Sequence, residues 1–217
     1  VAADEIVMPD VARNATSTIE STKAALRILN STVGHDAYLE AGSPRLMYVP
    51  QGQTFASWRT CLRALLREHK HAIDQSLGGR AYRRPVIAIA KMYLEMNPDL
   101  AREYVAAILE AVDEQGVYSS SSIDIHLLGW PRNLWIVPEV AAHARTMGGS
   151  IRSIDSARPF VYARAGFLLV PGGDIPRHPA RPLDYFTKRI EPGSAIDDLA
   201  LRNIEVFRAA ATDRLIR

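Results

Sequence analysis

The residues with the most evident chemistry are cationic side chains spaced along one stretch of the chain. Arg59, Arg63 and Arg67 recur every four residues, and Lys70 follows three residues later. In a helix this spacing places all four side chains on one side. Like charges at that spacing repel one another, so they need carboxylates from another element or phosphates from a ligand. Because guanidinium groups suit phosphate, the pattern predicts a site for a nucleic-acid backbone.

Three further arginines follow this segment: Arg80, Arg83 and Arg84. Tyr82 lies among them and could stack on a base. Seven cationic residues between positions 59 and 84 thus accompany only two acidic ones, and we call these seven the basic block. A solvated helix face with salt bridges between subunits explains the same pattern, and this alternative stays open.

No short motif of a known catalytic or metal site occurs in the chain. His69 and His71 are two residues apart, which points them to different faces of a helix, and no H-E-x-x-H motif or cysteine pair accompanies them. Glycine-rich phosphate loops and a G-x-S-x-G elbow are absent as well. We therefore expect no metal, no cofactor and no enzymatic activity, although an enzyme without a short motif remains an alternative.

A second pattern resembles a helix-turn-helix. Ala144 precedes the turn residue Gly148 by four positions, and Ile154 follows that glycine by six. This spacing would let two short helices cross closely, with Arg152 exposed toward a DNA groove. Gly149 occupies a position where an apolar residue usually packs. The pattern supports a DNA-binding regulator or replication protein as an alternative function.

Apolar periodicity and capping residues predict the elements that would position these side chains. Helices are expected over residues 17–30, 54–77, 85–96, 98–115 and 138–147, and from residue 194 onward. Short strands are expected at 46–49, 123–127 and 134–137, and a β-hairpin at 160–163 and 167–170. Residues 134–137 could equally lead into the helix that begins at Pro138. Five of the 13 prolines lie between positions 171 and 192, which disfavours regular structure there.

These elements predict a mainly α fold with a minor β component, of the α+β class. An N-terminal arm would cover residues 1–16, and a mainly helical core with a small hairpin would cover residues 17–170. A proline-rich extended segment at 171–193 and a C-terminal helix at 194–217 would complete the chain. Both extended segments are of the kind that packs on neighbouring subunits.

Composition limits the class of protein. Hydrophobic residues make up 47% of the chain and charged residues 23%, which is typical of a globular domain. The single cysteine suits a reducing compartment, the first residues lack the basic and apolar stretches of a signal peptide, and no apolar run reaches the roughly 18 residues of a membrane span. We expect an intracellular (cytoplasmic) or virion location and no membrane partner.

Together these observations favour a structural, self-assembling protein that packages nucleic acid, of the viral coat or nucleocapsid kind. The basic block would neutralise backbone phosphates without reading bases. The partners would be further copies of the chain, as a homo-oligomer or polymer, and nucleic acid, most simply a single strand, RNA or DNA.

Overall fold

Five short strands form one parallel sheet in the computed structural model, so the predicted mainly helical α+β fold is wrong. The arrangement is of the α/β type, with helices between successive parallel strands. The structure describes residues 5–31, 38, 43–75, 84–94, 98–116, 123–129, 136–155, 157–170 and 190–211. Much of the proline-rich segment and the arginines at positions 80 and 83 lie outside these ranges.

The strands and helices alternate along most of the chain. The strands are β1 (Glu5–Val7), β2 (Arg45–Tyr48), β3 (Val86–Ala90), β4 (Asp124–Leu128) and β5 (Ser150–Ile154). The helices in the described residues are α1 (Ala15–Leu29), α2 (Phe55–Gln75), α3 (Lys91–Leu94), α4 (Pro98–Gln115), α5 (Ile136–Thr146), α6 (Arg158–Arg164) and α7 (Ala195–Ala211). The predicted helices that correspond to α1, α2 and α4 are confirmed, apart from their ends.

Four predicted elements have a different structure. Of the strand predicted at 134–137, residues 136 and 137 begin helix α5 and the other two lie outside the described residues. Residues 86–90 are strand β3 where a helix from Pro85 was predicted, and residues 150–154 are strand β5 where the second helix of a helix-turn-helix was predicted. Residues 160–163 belong to helix α6, so the predicted hairpin does not form. Pro159 lies in the first turn of that helix, where its missing N–H costs nothing, and Gly166 follows the helix with φ 79°.

The strands lie in the sheet in the order of the sequence, from β1 to β5, and all pairs are parallel. Crossovers between parallel strands are almost always right-handed, so an unbroken order places every connecting helix on the same face. The main core agrees with this rule, because Leu62, Ile108 and Val140 from the helices pack with Ile87 and Ile125 from the strands. Successive units of a (β/α) barrel have the same topology.

The opposite face of the sheet is concave. Its centre is apolar and includes Met47 and Ala88. At the amino-terminal end of this face, Arg45 of β2 pairs with Asp124 of β4 at 2.5 Å, across the intervening strand. Arg152 of β5 contacts Glu5 of β1. In a flat sheet these two outer strands would be roughly 19 Å apart, too far for such a contact, so the sheet curls like part of a barrel wall.

Candidate functional site

The carboxyl ends of the parallel strands form a rim at one end of the sheet. In open and closed α/β sheets, ligands bind at this end because the loops that follow the strands converge there. The described loops bring polar side chains to the rim from four of the five strands. These side chains are Asp10, Gln51, Lys91, Tyr93 and Asp155.

A histidine, a serine and an aspartate form a hydrogen-bonded chain on the concave face. His126 of β4 bonds through Nδ1 to the Ser153 hydroxyl at 2.8 Å and through Nε2 to Oδ1 of Asp155 at 3.1 Å. Because an ionised carboxylate only accepts hydrogen bonds, Nε2 donates to Asp155. In the neutral ring Nδ1 then accepts from the Ser153 hydroxyl, which fixes the orientation of the imidazole.

A β-bulge produces this arrangement. The register between β4 and β5 shifts after Ile125, so that Ser153 rather than Arg152 pairs with His126. The extra residue, Arg152, instead reaches the outer strand β1. Bulges of this kind commonly lie beside active sites, where they redirect a side chain.

Asp155 is the first residue beyond β5 and is held as a carboxylate. Its partial burial raises the pKa of the carboxyl group, but the hydrogen bonds from His126 and from the Gly129 N–H, the latter 2.6 Å long, outweigh this effect, and the pKa is lowered overall. Gly129 has φ +71°, a conformation that suits glycine, and a Cβ atom there would lie 3.4 Å from Cβ of Lys91. The side chain of Asp155 is 56% exposed, so an ionised, oriented carboxylate faces solvent at the rim.

Gln51 joins the first three strand ends. Its side-chain N–H donates to Asp10 at 2.6 Å, and its Oε1 accepts from the Tyr93 hydroxyl at 2.9 Å. The same oxygen accepts from the backbone N–H of Arg13 at 3.0 Å. Gln51 is buried, and its side-chain amide accepts two of these hydrogen bonds and donates the third, so it acts as a structural link that fixes the rim.

An aromatic cleft opens beside this link, between the end of β2 and the first turn of α4. It has a volume of about 460 Å³ and is lined by residues that include Arg13, Gly52, Phe55, Tyr93 and Tyr104. The rings pack edge to face, with centroids 4.9 Å apart for the Phe55–Tyr104 pair. Burial, followed by the neighbouring Tyr93 and Glu103, raises the pKa of Tyr104 to about 12, which keeps its hydroxyl protonated.

The predicted basic helix carries its own counter-charges. Arg63 of α2 makes two hydrogen bonds of 2.7 Å with the carboxylate of Glu114 on α4, and Arg59 pairs with Glu110 at 3.3 Å. The hydrogen bond from Arg63 lowers the pKa of Glu114. Lys70 donates to the backbone oxygen of the last residue of α4 at 3.2 Å. Carboxylates from another helix therefore compensate two of the four helical cations.

The rest of the basic block is less constrained. Arg67 and Arg84 are exposed, and the backbone oxygen of Arg84 accepts from Arg45 at 3.1 Å. Arg80 and Arg83 lie outside the described residues. Carboxylates thus pair with two of the seven residues of the basic block, and phosphate binding by the block stays a prediction.

Two further properties concern the described part of the chain. No three or more His, Cys, Asp or Glu side chains are grouped there in a way that could hold a metal ion, and no helix there has the length and hydropathy to cross a membrane. Burial lowers the pKa of His69 to about 4, and its Nδ1 lies 2.8 Å from the Tyr48 hydroxyl.

The residues of the rim were not predicted from the sequence as site residues. His126 and Asp155 are 29 positions apart and belong to no short motif. A polar residue directly after an apolar strand was the available signal, and it required β5 to be recognised as a strand. A comparison with protein-family models and with curated proteins finds no match to the chain.

Proposed function

We propose that the chain carries the active site of a group-transfer enzyme, in which Asp155 is a nucleophilic carboxylate at the rim of the sheet. The observation that carries the proposal is the pair of hydrogen bonds that His126 and Gly129 donate to one oxygen of Asp155. These two bonds keep the carboxylate ionised. Its other oxygen, Oδ2, is left available on the exposed side of the residue. The proposal departs from the sequence-based expectation of a structural protein without enzymatic activity.

The lowered pKa favours one of two roles for this carboxylate. A general base works best with a pKa near the operating pH, and the pKa of Asp155 is shifted away from that range. A carboxylate that stays ionised can instead attack an electrophilic carbon, as in enzymes that form a covalent aspartyl intermediate. A bond would form between the carboxylate oxygen and the substrate carbon, and the leaving group would depart with the electron pair. An acceptor would then displace Asp155 from the ester.

Ser153 is a second candidate for the nucleophile. Ser153, His126 and Asp155 are joined by hydrogen bonds in the same order as the three residues of a hydrolase triad. The position of Ser153 favours Asp155 as the reacting group. Ser153 lies inside β5 opposite His126, whereas Asp155 lies beyond the strand and is reached from the rim. We therefore assign His126 and Ser153 as positioning residues for Asp155.

Labelling with a small aryl glycidyl ether tests the proposal. Ionised, accessible carboxylates open this epoxide to give a stable ester, which peptide mass spectrometry locates. We expect Asp155 to be labelled about tenfold faster than exposed carboxylates such as Asp198, since it is held in one orientation. Asp155→Asn should abolish the adduct and keep the fold, because an amide oxygen still accepts from His126 and Gly129.

Two variants serve as controls. Asp198→Asn, the same substitution in the first turn of α7, should leave labelling unchanged. Ser153→Ala should retain the adduct on Asp155, and a fluorophosphonate, which reports a serine nucleophile, should not react with the wild-type protein. Labelling of Asp155 no faster than that of Asp198, or rapid reaction of Ser153 with the fluorophosphonate, would overturn the proposal.

The pH dependence of labelling gives an independent expectation. Only the ionised carboxylate reacts, so the rate falls as the pH drops through the pKa of the group. Because the pKa of Asp155 is lowered, its labelling should persist below the pH at which an ordinary aspartate becomes protonated. His126→Ala removes one stabilising hydrogen bond and leaves the effect of burial, so the midpoint should move to higher pH. Circular dichroism at each pH checks that the protein stays folded.

The nucleic-acid packaging hypothesis stays a prediction. Its main support was uncompensated charge on α2, and the pairs Arg59–Glu110 and Arg63–Glu114 now account for half of that charge. The helix-turn-helix alternative has lost its recognition helix, because residues 150–154 form β5.

A further inference from the structure

The aromatic cleft is a second feature of the rim, and Tyr104 is its most informative residue. Only 6% of Tyr104 is exposed, yet its side chain lines the cleft. Its hydroxyl forms no hydrogen bond with any residue that the structure describes. This hydroxyl is not among the fully buried polar atoms that lack a partner, so it keeps some accessible surface and can hydrogen-bond to a molecule in the cleft.

Arg13 lies at the mouth of the same cleft and has an unusual backbone. Its φ is 60°, in the left-handed region that a residue with a long side chain seldom adopts. The hydrogen bond from its N–H to Gln51 holds this conformation. The guanidinium group is exposed and has no ion pair within the described part of the chain. Strained residues of this kind cluster at ligand sites.

The walls of the cleft suit a flat ligand. Phe55 and Tyr93 both lie near Tyr104, with ring centroids at 4.9 and 5.3 Å from its ring. Ring faces and edges of this kind attract other planar rings. The volume of about 460 Å³ lies within the range of small-molecule sites.

We propose that the aromatic cleft binds a planar ring that carries an anionic group, with the guanidinium of Arg13 on the anion and the Tyr104 hydroxyl on a polar substituent of the ring. The site is distinct from Asp155 and stands on different residues. Fragment binding and epoxide labelling are separate measurements, so either proposal can fail alone.

Calorimetry and ligand-observed NMR with four small probes test this site. 4-Hydroxybenzoate combines the ring, the anion and the polar substituent; benzoate lacks the substituent and phenol lacks the anion. Phenyl phosphate replaces the carboxylate and distinguishes the two kinds of anion. We expect 4-hydroxybenzoate to bind with a dissociation constant on the order of 1 mM, as a small fragment does, and phenol to bind about tenfold more weakly.

Two variants assign the contacts. Arg13→Gly removes the guanidinium but suits the positive φ, so the protein should fold at least as well as the wild type and lose about tenfold in affinity for the three anionic probes. Tyr104→Phe should weaken 4-hydroxybenzoate about fivefold and leave benzoate unchanged. The proposal is overturned if no aromatic anion binds below about 10 mM, or if both variants are folded and bind as the wild type does.

Discussion

Trp58→Ala is expected to lower the free energy of unfolding by about 3–5 kcal/mol, which is typical of removing a large aromatic side chain from a core. Trp58 has no exposed surface and lies in α2 against the central strands. Its ring packs edge to face on Tyr104, with centroids 4.6 Å apart, and also contacts Phe55 and Tyr93. The loss would leave a cavity behind the aromatic cleft. Urea unfolding followed by circular dichroism measures the change.

Trp58→Phe is the matched control. The indole N–H of Trp58 is buried and forms no hydrogen bond in the part of the chain that the structure describes. Replacing the indole by a phenyl ring removes this unsatisfied donor, which offsets part of the lost apolar contact. We expect Trp58→Phe to cost less than about 1.5 kcal/mol. Equal destabilisation by Trp58→Ala and Trp58→Phe would mean that the indole N–H has a hydrogen-bond partner in solution, such as a buried water. This account of the core would then be wrong.

Asn203→Ala is expected to cost about 3 kcal/mol or more, because it leaves three backbone groups without their partner. Asn203 of α7 has no exposed surface. Its amide donates to the backbone oxygens of Pro159 and Phe167, both at 3.1 Å, and accepts from the N–H of Leu169 at 2.7 Å. This one side chain thus joins α6, the segment after it and α7.

The neighbouring Arg202 provides a control for Asn203. It lies one position earlier in α7 and is exposed, so Arg202→Ala should change stability by no more than about 0.5 kcal/mol. Thermal unfolding of both variants beside the wild type gives the comparison. Equal stability of Asn203→Ala and the wild type would mean that water replaces the amide in all three hydrogen bonds.

The sequence predicted helices α1, α2 and α4 well because each has one apolar and one polar face. Strand β3 was missed for a physical reason. All five of its residues are buried, on both faces of the sheet, so no alternation of polar and apolar residues marks it as a strand. A short apolar run after Pro85 fits the start of a helix equally well.

The candidate site was missed because the parallel strands were not recognised. A parallel sheet brings together residues such as Asp10, Tyr93 and Asp155, which are far apart in sequence, and only the topology reveals that they share one rim. The bulge at Arg152 adds a shift of one residue that no pattern of hydrophobicity encodes. The basic block was visible because its residues are close in sequence, but its partners Glu110 and Glu114 lie on another helix.

The ion pairs Arg45–Asp124 and Arg152–Glu5 occupy the amino-terminal end of the concave face, and apolar side chains fill its middle. Within the described residues, the concave face is therefore closed at its amino-terminal base and accessible from the carboxyl-terminal rim. If Asp155 reacts as we propose, substrate and product would share that rim. Product inhibition that is competitive with the substrate is the expected kinetic consequence.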